Sequence, residues 1–497
     1  MQLPGEWKAP SEDGEILIWP GPGEIQKNTL ENQRLLGNAH GVRLGGIPLP
    51  EIRRWLRKWI DAPVDRPLIG AGHQVELSHP GVWAKNILID ELVKRVGGAA
   101  YQFSVDTDAP KHLVLRWPGG GRPITDDPKA ATAEWAGLLD APTPGHLQLI
   151  ETELEKAAES WGFRPHALDF LHTLKRLTME IPRLAPLLIS ALHEVDWGLG
   201  LRHSALAVAP LWESEGYLLC AHHLAARAGE FAADYNGVLH EYRREKGIHS
   251  PGRPWPDLVV SGDQCELPFW LDCLESGHRL RASVKLREGG AVLDCPKDEG
   301  FVFKREANGW EAAESLKKFL LAHRLRLSPR ALALTMFLRL IVCDQFVHGI
   351  GGALYDEITD RVIRKRLGID APAFCVTTAT LLFPAAVGQK RVELKPLLAA
   401  GRRMRHGALD GEKMTLVKQI EALPRRSPER SRVFYEMHTR LANEQRRPEF
   451  QAWEQKLEEA RKRVVEEKDL FDRELFFAIQ PEARLRELIQ RYRAEFG

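Results

Sequence analysis

The stretch PLIGAGHQVELSHPGVWAKNILIDELVKRVGGAAYQFSV, Pro67–Val105, sets the architecture. A short apolar run gives way to a Gly/His loop, then to a helical pattern through about Val93, then to the strand-like Ala99–Val105. Strand, loop, helix and strand in that order are the sequence form of a βαβ crossover. The expectation is an α/β fold with a Rossmann-like, nucleotidyltransferase-type core on a parallel sheet.

On the N-terminal side, residues 1–62 hold Trp19-Pro20-Gly21-Pro22-Gly23 and a short basic helix at Glu51–Ile60, and read as an extension. The first half of the core spans 63–145 and ends in the Pro/Gly-rich break of Pro118–Asp127. Long Leu/Ala/Glu/Arg patterns, such as Ala167–Leu174 and Leu218–Leu239, make 146–255 a helical connecting domain. Ser250–Pro256 punctuates the chain. The core resumes over 256–400, with a β-hairpin around Gly289-Gly290 and the β-prone Phe374–Phe383.

Residues 401–497 are charged and helical. Trp453, Leu457, Ala460, Val464 and Phe471 recur at spacings compatible with a heptad seam, and Met414–Leu423 offers an apolar partner stripe beyond Pro424 and Pro428. An antiparallel C-terminal coiled coil within the chain and a homodimer through it are both compatible with this pattern.

At 497 residues the chain exceeds what one core usually organises, and its 44% apolar and 28% charged residues are an ordinary globular balance. Lys and Arg number 69 against 68 Asp and Glu, so the net charge of +1 supplies no global field for nucleic acid or an anionic membrane. Small-molecule partners recognised locally are the expectation. No apolar stretch approaches bilayer-spanning length, which points to the cytoplasm. The six cysteines lack any CxxC pair and read as free thiols.

Three constellations carry chemistry. In Gly72-His73-Gln74 through His79-Pro80-Gly81-Val82-Trp83-Ala84-Lys85-Asn86 a strand becomes a helix, whose unpaired N–H groups and dipole attract phosphate or carboxylate. Gly72 and Gly81 would allow close backbone approach, and His79 and Lys85 would add donors. His79-x-Gly81 matches the first half of an HxGH signature, with Val82 at the second histidine's place; an ordinary His-Pro-Gly turn is the alternative.

Asp106-Thr107-Asp108, followed by Lys111-His112, lies at the end of the second strand. Carboxylates there face the crevice in which open α/β sheets bind ligands, and could orient an amine, act as a base or hold Mg²⁺; an Asx-turn is the bland alternative. In the third constellation, His348-Gly349-Ile350-Gly351-Gly352 with Tyr355 and Asp356, the glycines suit either a ligand-facing backbone or close helix–strand packing. His222-His223 lacks partners at metal-ligand spacing, and no metal site is assigned.

Taken in order, these segments resemble the bacillithiol biosynthesis cysteine-adding family. Gly72-His73-Gln74, Pro80-Gly81 and Lys85 are similar to its N-terminal loop and helix, and Asp106-Thr107-Asp108 to its acidic strand end. Leu327-Ser328-Pro329, Asp344-Gln345, Gly349-Ile350-Gly351-Gly352, Tyr355, Gly368-Ile369, Pro372 and Ala379-Thr380-Leu381 resemble its later motifs. The similarity runs from about residue 66.

The resemblance implies a ligase that forms an amide between cysteine and an amine on a sugar-type acceptor such as glucosaminyl-malate. It implies catalytic roles for His79, Asp106, Asp108 and His348. Substrate contacts fall to Gly72, His73, Gln74, Gly81, Lys85, Asn86 and His112, and to Gly349, Gly351, Gly352, Tyr355 and Asp356. No cofactor is specified; the helix-end architecture suits a nucleotide, ATP or ADP. His348 at the loop entrance, the missing acid after the glycines and Ala-Pro-Lys-His after Asp108 mark a divergent branch. An HxGH nucleotidyltransferase and a non-catalytic scaffold are the other readings.

Overall fold

The computed structural model describes residues 8–295, 300–407 and 412–497. The chain divides into two compact units, Met1–Leu381 with Arg473–Gly497, and Leu382–Asp472.

In chain order the main unit opens with strand β1 (Ile16–Trp19), helix α1 (Pro22–Gly37) and helix α2 (Leu49–Trp59). The quoted stretch follows as β2 (Leu68–Gln74), α3 (Pro80–Val96) and β3 (Ala99–Val105). Leu68–Ala71 of β2 and most of β3 are buried, as a sheet covered on both faces requires, and the end of β2 at Gly72-His73-Gln74 is partly open. Gly97 closes α3 in the left-handed conformation at φ 72°, a position that favours glycine.

Helices α4 (Pro144–Ala158), α5 (Ala167–Leu177) and α6 (Leu184–Gly198) precede a short strand, β4 (Ser204–Ala207). Helices α7 (Glu215–Ala225) and α8 (Ala228–Glu245) lead to an antiparallel sheet of β5 (Gln264–Cys273), β6 (Arg279–Arg287), β7 (Gly290–Leu293), β8 (Val302–Lys304) and β9 (Leu325–Pro329). Helix α9 (Gly309–Ala322) lies between β8 and β9, and α10 (Ala331–Phe337) follows β9. The chain then re-enters the first sheet with β10 (Gln345–His348), α11 (Ile350–Leu367) and β11 (Cys375–Ala379).

That first sheet is ordered β1-β11-β10-β2-β3-β4. From β11 to β4 every pairing is parallel, and only β1 runs antiparallel at the edge. The fold is therefore mixed α/β with a largely parallel sheet. Parallel pairing brings the ends of β2, β3 and β10 to one edge, so the three constellations at 72–86, 106–112 and 348–356 follow adjacent strand ends.

Several elements differ from the sequence reading. The first sixty residues are structural: β1 pairs Ile16 with Ala379, and α2 buries Arg53 and Arg57 against Asp344. The helical stretch 146–255 contains β4, which pairs with β3. The hairpin between Leu280 and Lys304 is present as β6–β7, with Arg287 opposite Gly290, but it belongs to a larger antiparallel sheet.

The second unit holds α12 (Leu394–Gly407), α13 (Glu412–Ala422), α14 (Pro428–Gln445) and α15 (Pro448–Glu466). Phe450, Trp453 and Leu457 of α15 pack on Leu394, Leu397, Ala400 and Met404 of α12, not on the Met414–Leu423 stripe expected from sequence. Gly401 makes this possible, since a Cβ there would lie 2.0 Å from the Trp453 ring. The Met414–Leu423 stripe instead packs on α14 through Leu416, Ile420, Val433 and Met437. The last helix, α16 (Glu482–Glu495), belongs to the main unit and packs against α3. No helix among the described residues is long and apolar enough to cross a membrane.

Candidate functional site

Beyond β2 the chain turns through Glu76 and enters α3 at Pro80, with His79 as N-cap. The His79 Nδ1 accepts the Gly81 N–H at 3.0 Å. This bond places the ring proton on Nε2, leaving a neutral donor at the head of the helix. Glu76 ties this loop to the one after β3: its Oε2 accepts the Lys111 and His112 N–H groups at 3.0 and 3.2 Å, and its Oε1 meets His73 Nε2 at 2.9 Å.

Lys85 is buried and donates to the Gly72 carbonyl at 2.6 Å. Arg473 reaches the same helix end and donates to the Thr378 hydroxyl at 3.2 Å and the Ala379 carbonyl at 3.0 Å. His73, His79, Lys85, His112 and Arg473 thus converge where Glu76 is the neighbouring carboxylate. Burial pushes Lys85 down to about 8 against the attraction of Glu76. Burial, then the charges of Arg473, His73, Lys85 and His112, pushes His79 down to about 3. A neutral imidazole donor beside two cations at a helix N-terminus is an environment for an anion.

A pocket with about 590 Å³ of empty space, open to solvent, runs from His73, Gln74 and Lys85 past Asn86, Gln102 and Ser104 to His193 and Asp196 of α6. Asp196 is fully engaged: it accepts from Trp83 Nε1 at 2.7 Å and Asn86 Nδ2 at 2.9 Å, and pairs with His203 Nε2 at 2.7 Å. Asn86 therefore shapes the pocket wall through Asp196.

At the end of β3, Asp106 is buried and its Oδ1 accepts the Ala209 N–H at 2.9 Å. Burial raises its pKa. Asp108 is the more open carboxylate, with Oδ1 3.1 Å from Arg279 Nη1 and Oδ2 accepting from Gln74 Nε2 at 3.4 Å. Arg279, on β6, also bonds the Thr107 carbonyl and Asp272, and its guanidinium lies over Trp135 and Trp270 at 5.2 and 5.5 Å. It fastens the acidic loop to the antiparallel sheet.

The third constellation does not line this pocket. His348 is 5% exposed, and its Nε2 pairs with Asp356 Oδ2 at 2.7 Å. Asp356 also binds Arg339 at 2.5 Å and Thr335 at 3.0 Å. Burial alone would raise the Asp356 pKa, but Arg339 and His348 hold its carboxyl far below the usual range. His348 and Asp356 are held in this buried ion network with Arg339, whose charge would be costly to leave unpaired at that depth. Gly352 accommodates it: a Cβ there would lie 2.9 Å from His348 Nδ1. Tyr355 packs on Trp255 at 4.9 Å. Gly349 and Gly351 have open space where a Cβ would project.

The first-loop glycines differ too. A Cβ at Gly72 would make only ordinary contacts, the nearest at 3.4 Å. At Gly81 it would lie 2.5 Å from Thr378 Oγ1, 2.8 Å from Arg473 Nη2 and 2.9 Å from His79 Cε1. Gly81→Ala is expected to cost about 1–3 kcal/mol by overpacking and to weaken pyrophosphate binding at the same helix end. Denaturant unfolding and calorimetric titration check the two effects; an unchanged affinity would place the anion elsewhere.

Because Lys85 loses its proton as pH rises through about 8, anion affinity is expected to fall above that pH, by up to about tenfold per unit. His79, already neutral, adds no inflection between about pH 5 and 8. Pyrophosphate titrations from acid to alkaline pH test this; a midpoint near 6.5 would implicate a histidine instead.

Sequence reasoning missed Arg473, Arg279, Asp196 and His203, each of which reaches the site from a distant element. No protein-family model matches this chain, and no curated protein is significantly similar to it.

Proposed function

We propose that the protein is a carbon–nitrogen ligase, a divergent relative of the bacillithiol cysteine-adding enzymes, joining the carboxyl of an amino acid to an amine on a sugar-type acceptor. Numbered by chain order, its parallel strands run 5-4-1-2-3, the order of a Rossmann-like sheet, whose ligands sit at the strand ends where the order reverses. The six free cysteines fit a cytoplasmic enzyme. Helices α12–α15 serve in this reading as an antiparallel coiled coil that pairs two copies.

One observation carries the reading. The loop leading into α3 is tied to the loop bearing Asp108: Glu76 Oε2 accepts the Lys111 and His112 N–H groups, and Gln74 Nε2, at the end of β2, donates to Asp108 Oδ2 at 3.4 Å. A carboxylate oxygen attacks the γ-phosphorus of a nucleoside triphosphate, the P–O bond to the β-phosphate breaks and the nucleoside diphosphate leaves; the phosphate group of the resulting acyl phosphate rests against His79 Nε2–H, Lys85 and Arg473. Asp108 orients the amine, whose lone pair attacks the acyl carbon. The C–N bond forms, the C–O bond to the phosphate leaving group breaks, and the amine proton passes to Asp108 or solvent.

The test is amide formation by the purified protein from cysteine, glucosaminyl-malate and ATP, followed by mass spectrometry. Product that is lost in Asp108→Asn supports the reading, and no product with any of the common amino acids contradicts it. A neutral histidine beside Lys85 at a helix end also suits nucleotide phosphates, so a nucleotidyltransferase is the second reading. Release of pyrophosphate with transfer of the nucleotide to an acceptor would favour it.

A further inference from the structure

The net charge of +1 conceals a strongly uneven distribution. Residues 389–447 of the second unit carry fifteen Lys and Arg against seven Asp and Glu, leaving the rest of the chain net acidic. Such local charge is what draws a polyanion to a protein of neutral overall balance.

The helices of this stretch leave much of that charge available. Arg440 pairs with Glu412 at 2.8 Å and Glu436 at 2.7 Å. Arg402, Arg403, Lys418, Arg425, Arg426 and Arg432 are exposed and have no carboxylate within ion-pair reach among the described residues. Arg425 and Arg426 form the turn into α14.

Aromatic side chains stand among the arginines. Tyr435 is 70% exposed and Phe434 46% exposed, with the Phe434 and His438 ring centroids 4.2 Å apart. Arg432, Tyr435 and Thr439 are spaced i, i+3 and i+7, so they share one face of α14. Tyr435 does not cover a core, because the apolar contact between α13 and α14 is made by Leu416, Ile420, Val433, Met437 and Leu441, on a different face of α14.

We propose that this face of α13 and α14 binds single-stranded nucleic acid, with arginines on the phosphates and Tyr435 stacking on a base. Arginine outnumbers lysine eleven to four over residues 389–447. The planar guanidinium both pairs with phosphate and stacks on bases, whereas a membrane-surface helix needs charge of either kind and a free apolar face. Here the apolar face is occupied by the partner helix. Every base has a π-face, so the recognition is sequence-tolerant, and RNA and DNA share the chemistry.

Fluorescence anisotropy of labelled oligouridylate and oligodeoxythymidylate, titrated with the full chain, tests the proposal. Binding is expected at about 50 mM salt and should weaken at least roughly tenfold by about 200 mM. Tyr435→Ala leaves the charge intact and should weaken binding roughly fivefold or more with the salt dependence kept. Reversal of Arg425, Arg426 and Arg432 to Glu should abolish it, with far-UV circular dichroism checking helix content. Preference for either oligomer supports the proposal and identifies the source. Absence of binding to both, affinity unaffected by Tyr435→Ala, or binding to phosphatidylserine vesicles but not to oligonucleotides would overturn it.

Discussion

Asp344→Ala is expected to destabilise the main unit by at least about 3–5 kcal/mol, or to prevent its folding. Asp344 is 2% exposed and immediately precedes β10. It binds Arg53 at 2.6 Å and Arg57 at 2.7 Å, both from α2, and accepts the Leu68 N–H at 2.8 Å. The arginines are themselves 5% and 3% exposed. Removing the carboxylate leaves two guanidinium groups buried without a counter-charge and releases the junction of α2, β2 and β10.

Carbonyl contacts satisfy the guanidinium hydrogens in part, through Leu340, Val342 and Cys343, but supply no full charge. Asp344→Asn keeps the shape and loses the charge, so it should fall between wild type and alanine. Urea unfolding followed by circular dichroism measures both. A loss under about 1 kcal/mol, typical of surface pairs, would mean that α2 is an appendage after all.

Lys85→Met is the second large effect, and it falls on function. Turnover in the proposed ligase reaction is expected to drop roughly 10²–10³-fold, as when an oxyanion donor is removed, with a comparable loss of pyrophosphate affinity. Stability should change little, since methionine leaves the Gly72 carbonyl without its donor but relieves the burial of a charge.

The pH dependence gives a separate sign. Burial holds the folded pKa of Lys85 near 8, below its unfolded value, so between about 8 and 10.5 the unfolded chain binds more protons. The penalty is present below pH 8 and is relieved across that window, and stability rises with pH there. Lys85→Met should flatten that rise. Melting temperatures of both proteins at pH 7 to 10 decide it; parallel curves would show Lys85 to be unperturbed.

The parts that were legible in the sequence are those fixed by local pattern. β2, α3 and β3 announce themselves by apolar runs around an amphipathic helix, and His79, Gly81 and Lys85 follow from the helix start. β1 and β4 did not, because each has only four residues and its partner strand lies far away in sequence. Arg279 and Arg473 reach the site only through tertiary folding, and nothing near them in sequence distinguishes them from surface arginines. Of the glycines that suit either a ligand-facing backbone or close packing, Gly352 serves packing, since a Cβ there would lie 2.9 Å from His348 Nδ1. The ion network of Arg339, Asp356 and His348 combines three separate turns of chain into one buried unit, which periodicity does not reveal.

The most direct measurement is a crystal structure with pyrophosphate or its heavy analogue tungstate at saturating concentration. The anion should lie at the N-terminus of α3, within hydrogen-bond distance of His79 Nε2, Lys85 Nζ and the Arg473 guanidinium. A vacant helix end with the anion bound elsewhere on the protein would contradict the account.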